Sequence, residues 1–145
     1  LRVGPLEPAD RARWAALWEA YLAFYGTERP PAQYELMWQR LHDATMHGLV
    51  ARDAGGAVIG IAHFLFHTHG WLVGPACYLQ DLFVAPEARG SGAGFALIEA
   101  VAAAARAANA ERLYWLTQEI NVTARRLYDR VARNSGFLVY QYPLG

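Results

Sequence analysis

The chain has 145 residues, 54% of them hydrophobic, and thirteen basic residues, all arginine, balance thirteen acidic ones to a formal net charge of zero. That length fills one core of ordinary domain size, and a balanced charge without long like-sign blocks argues against a nucleic-acid partner, whose phosphates call for a basic face. No apolar run approaches the roughly 20 residues that span a bilayer, no basic segment leads into a signal-like apolar stretch, and the single cysteine, Cys77, can form no internal disulfide and no cysteine-built metal site, so one domain, 1–145, is expected in the reducing cytoplasm without a membrane partner.

Leu1 to Pro5 reads as a short first strand, and Pro8-Ala9-Asp10 opens an amphipathic helix to about Tyr25, with Trp14, Leu17, Trp18, Tyr21 and Leu22 at helical spacing. The linker Gly26-Thr27-Glu28-Arg29-Pro30-Pro31 breaks it, and a second helix follows from about Ala32 to Ala44. Strands are predicted over Leu49 to Asp53 and Ala57 to His67, joined through Ala54-Gly55-Gly56 as a hairpin, and over Pro75 to Val84. Gly92 to Ala108 consists almost wholly of good helix formers and precedes a strand at Arg112 to Thr117, a βαβ pattern that implies parallel pairing. A last helix over Val122 to Arg133 and a closing strand over Gly136 to Tyr142 complete an α/β (α+β) domain. Its sheet is expected to be mixed and mostly antiparallel, with six to seven strands, a central parallel pair and helices on both faces.

Chemistry concentrates where the strand Tyr78 to Val84 runs through a short loop into Arg89-Gly90-Ser91-Gly92-Ala93-Gly94 at the start of a helix. The unsatisfied N–H groups of a first helical turn and the positive end of the helix dipole favour an anion, and glycines let its oxygens approach the backbone. A pyrophosphate suits this turn. Two other readings stand beside it: a dinucleotide-binding fingerprint, against which the glycine spacing and the several preceding strands argue, and glycines that merely shape a turn.

These residues resemble the GNAT superfamily of N-acetyltransferases, whose acetyl-CoA motif Arg/Gln-x-x-Gly-x-Gly/Ala is met by Arg89, Gly92 and Gly94. Tyr78-Leu79-Gln80-Asp81-Leu82-Phe83-Val84 followed by Ala85-Pro86 is similar to that family's fourth strand, and Leu113 to Thr117 to its fifth. Asn121, Ala124, Leu127 and Tyr128 match its second motif. The resemblance covers about residues 48–145 and is strongest to the branch named after yeast histone and polyamine acetyltransferases. It implies acetyl-CoA as cosubstrate without a metal, transfer to the primary amine of a small molecule, and often a homodimer, for which Gly136 to Gly145 is a plausible contact. A protein or peptide amine as acceptor, and a non-catalytic acyl-CoA-binding regulatory domain, are the alternatives.

In that family the fourth strand carries a bulge near its end, which implies that backbone amides of Leu82, Phe83 and Val84 hold pantetheine or polarise the acetyl carbonyl, while Arg89, Gly90, Ser91, Gly92, Ala93 and Gly94 hold the pyrophosphate. Tyr128 is the candidate acid for the departing thiolate, since a phenol stays protonated at neutral pH. Asn121 either bonds CoA, caps its helix, or does both. The base is open. Gln80 stands where related polyamine enzymes often carry a glutamate; Asp81 faces the other side of the strand if the pleat is regular; Glu119 reads better as a solvated loop charge. His63, His67 and His69 share a face if their strand runs unbroken, and read better as exposed or partner-facing histidines than as metal ligands. The aromatic residues of the first two helices are expected to be mostly core, with Glu28 of the linker a candidate for receiving a cationic amine.

Overall fold

The computed structural model describes all residues, 1–145, in two compact units, Leu1–Trp115 and Leu116–Gly145. The first unit is built on one five-stranded sheet in simple sequence order: β1 (Arg2–Pro5), β2 (His47–Arg52), β3 (Val58–His67), β4 (Ala76–Val84) and β5 (Arg112–Tyr114). The first four strands pair antiparallel and β4 pairs parallel to β5, because only the β4–β5 connection carries a crossover helix.

Each helix forms where its end signals meet an apolar stripe. Helix α1 (Arg11–Phe24) follows a 3-10 turn, Pro8–Asp10, in which the Glu7 amide donates to Asp10 Oδ2 at 2.7 Å. Its buried residues, Trp14, Leu17, Trp18 and Leu22, recur at three- and four-residue steps and lie on the sheet face that carries Val50, Ile61 and Phe83. Helix α2 (Pro31–Arg40) starts at the double proline and packs Met37, Tyr34 and Trp38 onto the same cluster. Helix α3 (Ala93–Ala107) covers the opposite face with Leu97, Ile98, Val101 and Ala105. It can come this close because Gly60 has no side chain: a Cβ there would stand 3.1 Å from Leu97 Cδ1 and 3.3 Å from the Phe83 carbonyl oxygen.

The second unit holds α4 (Val122–Val131) and the segment after it. Two expectations are corrected here. The sheet has five strands, not six or seven, because Gly136 to Tyr142 joins no ladder, and β5 stops at Tyr114 rather than Thr117. A run rich in β-formers becomes a strand only where a sheet edge supplies hydrogen-bond partners, so its composition alone does not make it one.

One buried ion pair ties the entry of α1 to the sheet. Arg52 of β2 donates from Nη1 to Asp10 Oδ1 at 2.8 Å and from Nη2 to Asp10 Oδ2 at 2.6 Å. The hydrogen bond from Arg52 holds the Asp10 carboxyl below its ordinary value, against the desolvation that raises it. A carboxylate whose pKa is depressed on folding contributes stability that is present above its unfolded pKa and is lost as pH falls through the folded value. Asp10→Asn is therefore expected to cost about 3 kcal/mol at pH 7, read from urea unfolding midpoints, and the gap from the wild type should shrink below about pH 4. Equal midpoints at pH 7 would show that the pair does not hold α1 in place.

Candidate functional site

β4 ends in a 3-10 turn, Pro86–Ala88, and the chain then reverses into α3 through two left-handed glycines, Gly90 at φ +85° and Gly92 at φ +87°. Open space surrounds both, so the constraint is the backbone angle itself, which costs an L residue roughly 1–2 kcal/mol. Gly92 is the N-cap of α3. Ser91 Oγ accepts the Ala93 amide at 3.3 Å, and the Ala96 amide returns to the Gly92 carbonyl. The amides of Gly94 and Phe95 lie in the first turn, where a helix offers no internal partner. The turn thus carries free donors at the positive end of a 15-residue helix. Arg89 is exposed, with its guanidinium carbon 5.7 Å from the centre of the Phe83 ring, and it stands beside the turn as a cation.

The neighbouring strand is open along one edge. β4 pairs with β5 only at Ala76–Arg112, Cys77–Leu113 and Tyr78–Tyr114, where the two tyrosine rings stack at 4.9 Å. Beyond Tyr78, no strand pairs with that edge of β4, so Leu82, Phe83 and Val84 lie on a stretch whose outward-facing backbone groups have no ladder partner. An acyl chain with amide groups can lie there as a strand would. Open edge and phosphate turn follow one another on the same piece of chain, and together they fit a pantetheine arm continued by a pyrophosphate.

The bulge expected near Leu82 to Val84 lies earlier. His63 pairs with Asp81 and Phe64 with Leu79, so Gln80 is the extra residue. This single insertion reverses the pleat: Gln80 is exposed, and Asp81 turns onto the α1 face, where it is 5% exposed. Placing Asp81 opposite the working face assumed a regular strand, and the register shift removes that assumption. His63 Nδ1 lies 2.8 Å from Asp81 Oδ2, and Trp14 Nε1 donates to His63 Nε2 at 2.9 Å. An indole N–H only donates, so His63 Nε2 is the acceptor and Nδ1 carries the proton that bonds Asp81. His63 is fully buried, which overturns its expected place among exposed histidines. Burial first, then the Asp81 charge and a side-chain hydrogen bond to it, drives the Tyr21 phenol far above its ordinary value; burial and Asp81 also raise Tyr25.

The other histidines part company with His63. His67 Nδ1 donates to the Thr68 carbonyl at 2.9 Å, leaving Nε2 to accept from Tyr114 at 2.7 Å, while His69 lies beyond the end of β3 beside Arg112. Glu28 is exposed in the α1–α2 linker. Cys77 is buried in β4, and burial pushes its thiol up to about 11, so it is no nucleophile at neutral pH. Trp18 Nε1 is buried without a hydrogen-bond partner.

In the second unit Asn121 is the N-cap of α4, accepting the Ala124 amide at 3.4 Å while its Nδ2 donates to Thr117 Oγ1 at 3.4 Å. Tyr128, two turns on, is half-buried on the same helix, and Glu119 is an exposed loop residue whose carbonyl accepts from Arg125.

The model of the Acetyltransferase (GNAT) family matches residues 14–132. This chain belongs to the GNAT acetyltransferase family. It is an acetyl-CoA-dependent N-acetyltransferase. Over 142 residues, 96% of this chain and 88% of the relative, it is 35% identical to the D-amino-acid N-acetyltransferase HPA3 of Saccharomyces cerevisiae. In fold it is similar to a probable acetyltransferase, with a TM-score of 0.88 and 21% identity over 100% of this chain and 99% of the other. It is similar also to AAC(6')-Iy solved with the bisubstrate analogue CoA-S-monomethyl-acetylneamine, with a TM-score of 0.84 and 16% identity over 98% and 97% of the two chains.

The residues that sequence reasoning passed over are Trp14, His63 and Tyr21 as neighbours of Asp81. Trp14 and His63 are 49 positions apart and His63 and Asp81 are 18 apart, so no short motif joins them. The available signal was the pair Gln80-Asp81, two polar residues in succession inside an apolar strand, which breaks the period-2 alternation as a bulge does.

Proposed function

We propose that this GNAT enzyme transfers the acetyl group of acetyl-CoA to the primary amine of a small molecule by direct attack in a ternary complex. The observation that carries the reading is the left-handed Gly90–Gly92 turn, which leaves first-turn amides of α3 without partners at the end of an open strand edge. The name of the yeast relative, a D-amino-acid N-acetyltransferase, and the CoA-linked analogue bound to AAC(6')-Iy favour a small amine acceptor.

Acetyl-CoA supplies an activated thioester; the chain supplies position and charge. The turn of Gly90, Ser91, Gly92, Ala93 and Gly94 receives the pyrophosphate through the amides that its own hydrogen bonds leave free, with Arg89 as the neighbouring cation. Backbone groups of Leu82, Phe83 and Val84 hold the pantetheine arm and polarise the acetyl carbonyl as it gains negative charge. Asn121 hydrogen-bonds the cofactor while capping α4. Tyr128 protonates the leaving thiolate, supported by its match to the family's second motif. Direct transfer, rather than an acetyl-enzyme, agrees with the buried and weakly acidic Cys77.

The match across 14–132 supports residues 1–145 acting as one catalytic domain. No helix is long and apolar enough to cross a membrane, and we place the enzyme in the cytoplasm. A homodimer is the proposed assembly: Phe137, Leu138, Val139, Tyr140, Tyr142 and Leu144 are each at least 61% exposed, an apolar segment that a second copy would cover.

With a panel of D-amino acids, alkylamines and neamine, the purified protein is expected to release free CoA thiol from acetyl-CoA. Gly92→Asp, which puts a carboxylate where the phosphate sits and strains the turn, should weaken CoA binding at least tenfold in calorimetry; unchanged affinity would refute the turn's role. Tyr128→Phe should lower kcat on the order of 100-fold with CoA affinity intact, and an unaltered kcat would remove it as the acid. Light scattering should give twice the chain's mass of 16.1 kDa, and a monomer at all concentrations would exclude the dimer.

A further inference from the structure

Asp81 is a buried carboxylate with no cation. Its one ion-pair neighbour is His63, and the Trp14 bond fixes that ring as the neutral Nδ1–H tautomer, so the ring orients the carboxylate without neutralising it. None of the arginines that form ion pairs, Arg11, Arg13 and Arg52, does so with Asp81. The groups that face Asp81 are His63 from β3, Tyr21 and Tyr25 from α1, and Tyr78 from its own strand; none of them is a cation in this arrangement. His63 and Tyr21 hydrogen-bond the carboxylate but bring it no positive charge, and a buried carboxylate without a cation beside a candidate site is a receptor for one. The walls suit a cation as well, since Tyr21 stands 5.1 Å from Tyr25 and 6.2 Å from Phe83, ring centre to ring centre.

Resting on the acetyltransferase reading, we propose that Asp81 receives the ammonium group of the acceptor and takes its proton, with His63 and Trp14 as positioning residues that hold the carboxylate. Gln80 cannot accept that proton, and its insertion in β4 is what brings Asp81 to the face where the amine enters. One N–H bond of the ammonium breaks, its electron pair stays on nitrogen, and the proton passes to the Asp81 carboxylate. The freed pair forms the C–N bond at the acetyl carbonyl carbon. As the C–S bond breaks, its electrons go to sulfur, which ends with the proton that the new amide nitrogen sheds. Asp81 then releases its proton to solvent, so that ammonium and thioester give amide, thiol and one free proton.

The experiment uses the alkylamine turned over fastest in the panel and its β,β-difluoro analogue, whose amine is largely neutral at about pH 8.5, where the parent amine stays protonated. Asp81→Asn keeps the shape and the His63 hydrogen bond. It should leave CoA affinity unchanged and lower kcat/KM at that pH on the order of 100-fold for the protonated amine, with less than a fivefold effect on the difluoro analogue. His63→Leu should show the same selectivity more weakly, and His63→Gln, which retains an N–H donor, should recover most of it. In the wild type, which needs no variant to fold, kcat/KM should fall as pH rises past the acceptor's own pKa, because the ammonium is the form that binds. Equal losses on both amines, or a wild-type rate that climbs steadily through the acceptor's pKa, would overturn the role of Asp81 while leaving the acetyltransferase standing. Absence of CoA binding and of thiol release with every amine would overturn the acetyltransferase and this role together.

Discussion

The pairing of His63 with Asp81, made possible by one extra residue in β4, decides what the sheet presents to α1. In a regular ladder Tyr78, Gln80 and Leu82 would share one face and Leu79, Asp81 and Phe83 the other. With Gln80 left over between the Leu79 and Asp81 pairings, Tyr78 opposes Leu65 while Asp81 and Phe83 oppose His63 and Ile61. Phe83 thereby enters the tryptophan cluster and completes the core under α1. The same shift that closes the core also places a carboxylate in it, so packing and chemistry on this face cannot be altered independently.

That coupling explains why the buried triad is made of large rings. Trp14 fills the space between Trp18, Trp38 and His63, stacking on Trp18 at 5.7 Å, and its indole N–H fixes the imidazole from behind. A smaller residue would leave both a cavity and an unsatisfied His63 nitrogen, two costs at one position. The Trp14 and Trp18 rings, read from helical spacing as mostly core, are core, and Tyr34 is half-buried against them. Their polar edges are where the interest lies, and helical spacing carries no information about edges.

Periodicity and end signals made most elements legible. The proline before α1 and the double proline before α2 mark real starts, the glycine hairpin joins β2 to β3, and the βαβ pattern gives the parallel β4–β5 pair. The glycine turn into α3 was readable because its geometry is local: two left-handed glycines and a helix N-terminus occupy six consecutive residues. What could not be read depends on distant partners. The C-terminal run has strand-like composition, yet strand formation is decided by an edge elsewhere in the chain; the standing of Asp81 depends on β3, 18 residues away, and on α1 behind it.

The two halves of the first unit's site answer different demands. In the proposed function, cofactor recognition would use backbone amides and an open edge, which tolerate side-chain variation so long as the left-handed angles and the α3 helix persist. In the role proposed for Asp81, acceptor recognition would use side chains from α1, β3 and β4 held by hydrogen bonds with fixed direction: indole to imidazole, imidazole to carboxylate. Each link leaves one orientation for the next, so Asp81 is preorganised before any amine arrives, and the cost of ordering it is met during folding rather than during binding. A buried anion of that kind disfavours the empty site and favours an occupied one, because an incoming cation gains from the same low-dielectric surroundings that penalise the bare charge. On the role proposed for Asp81, acceptor choice would rest first on charge at the reacting nitrogen and only then on the shape of the aromatic walls.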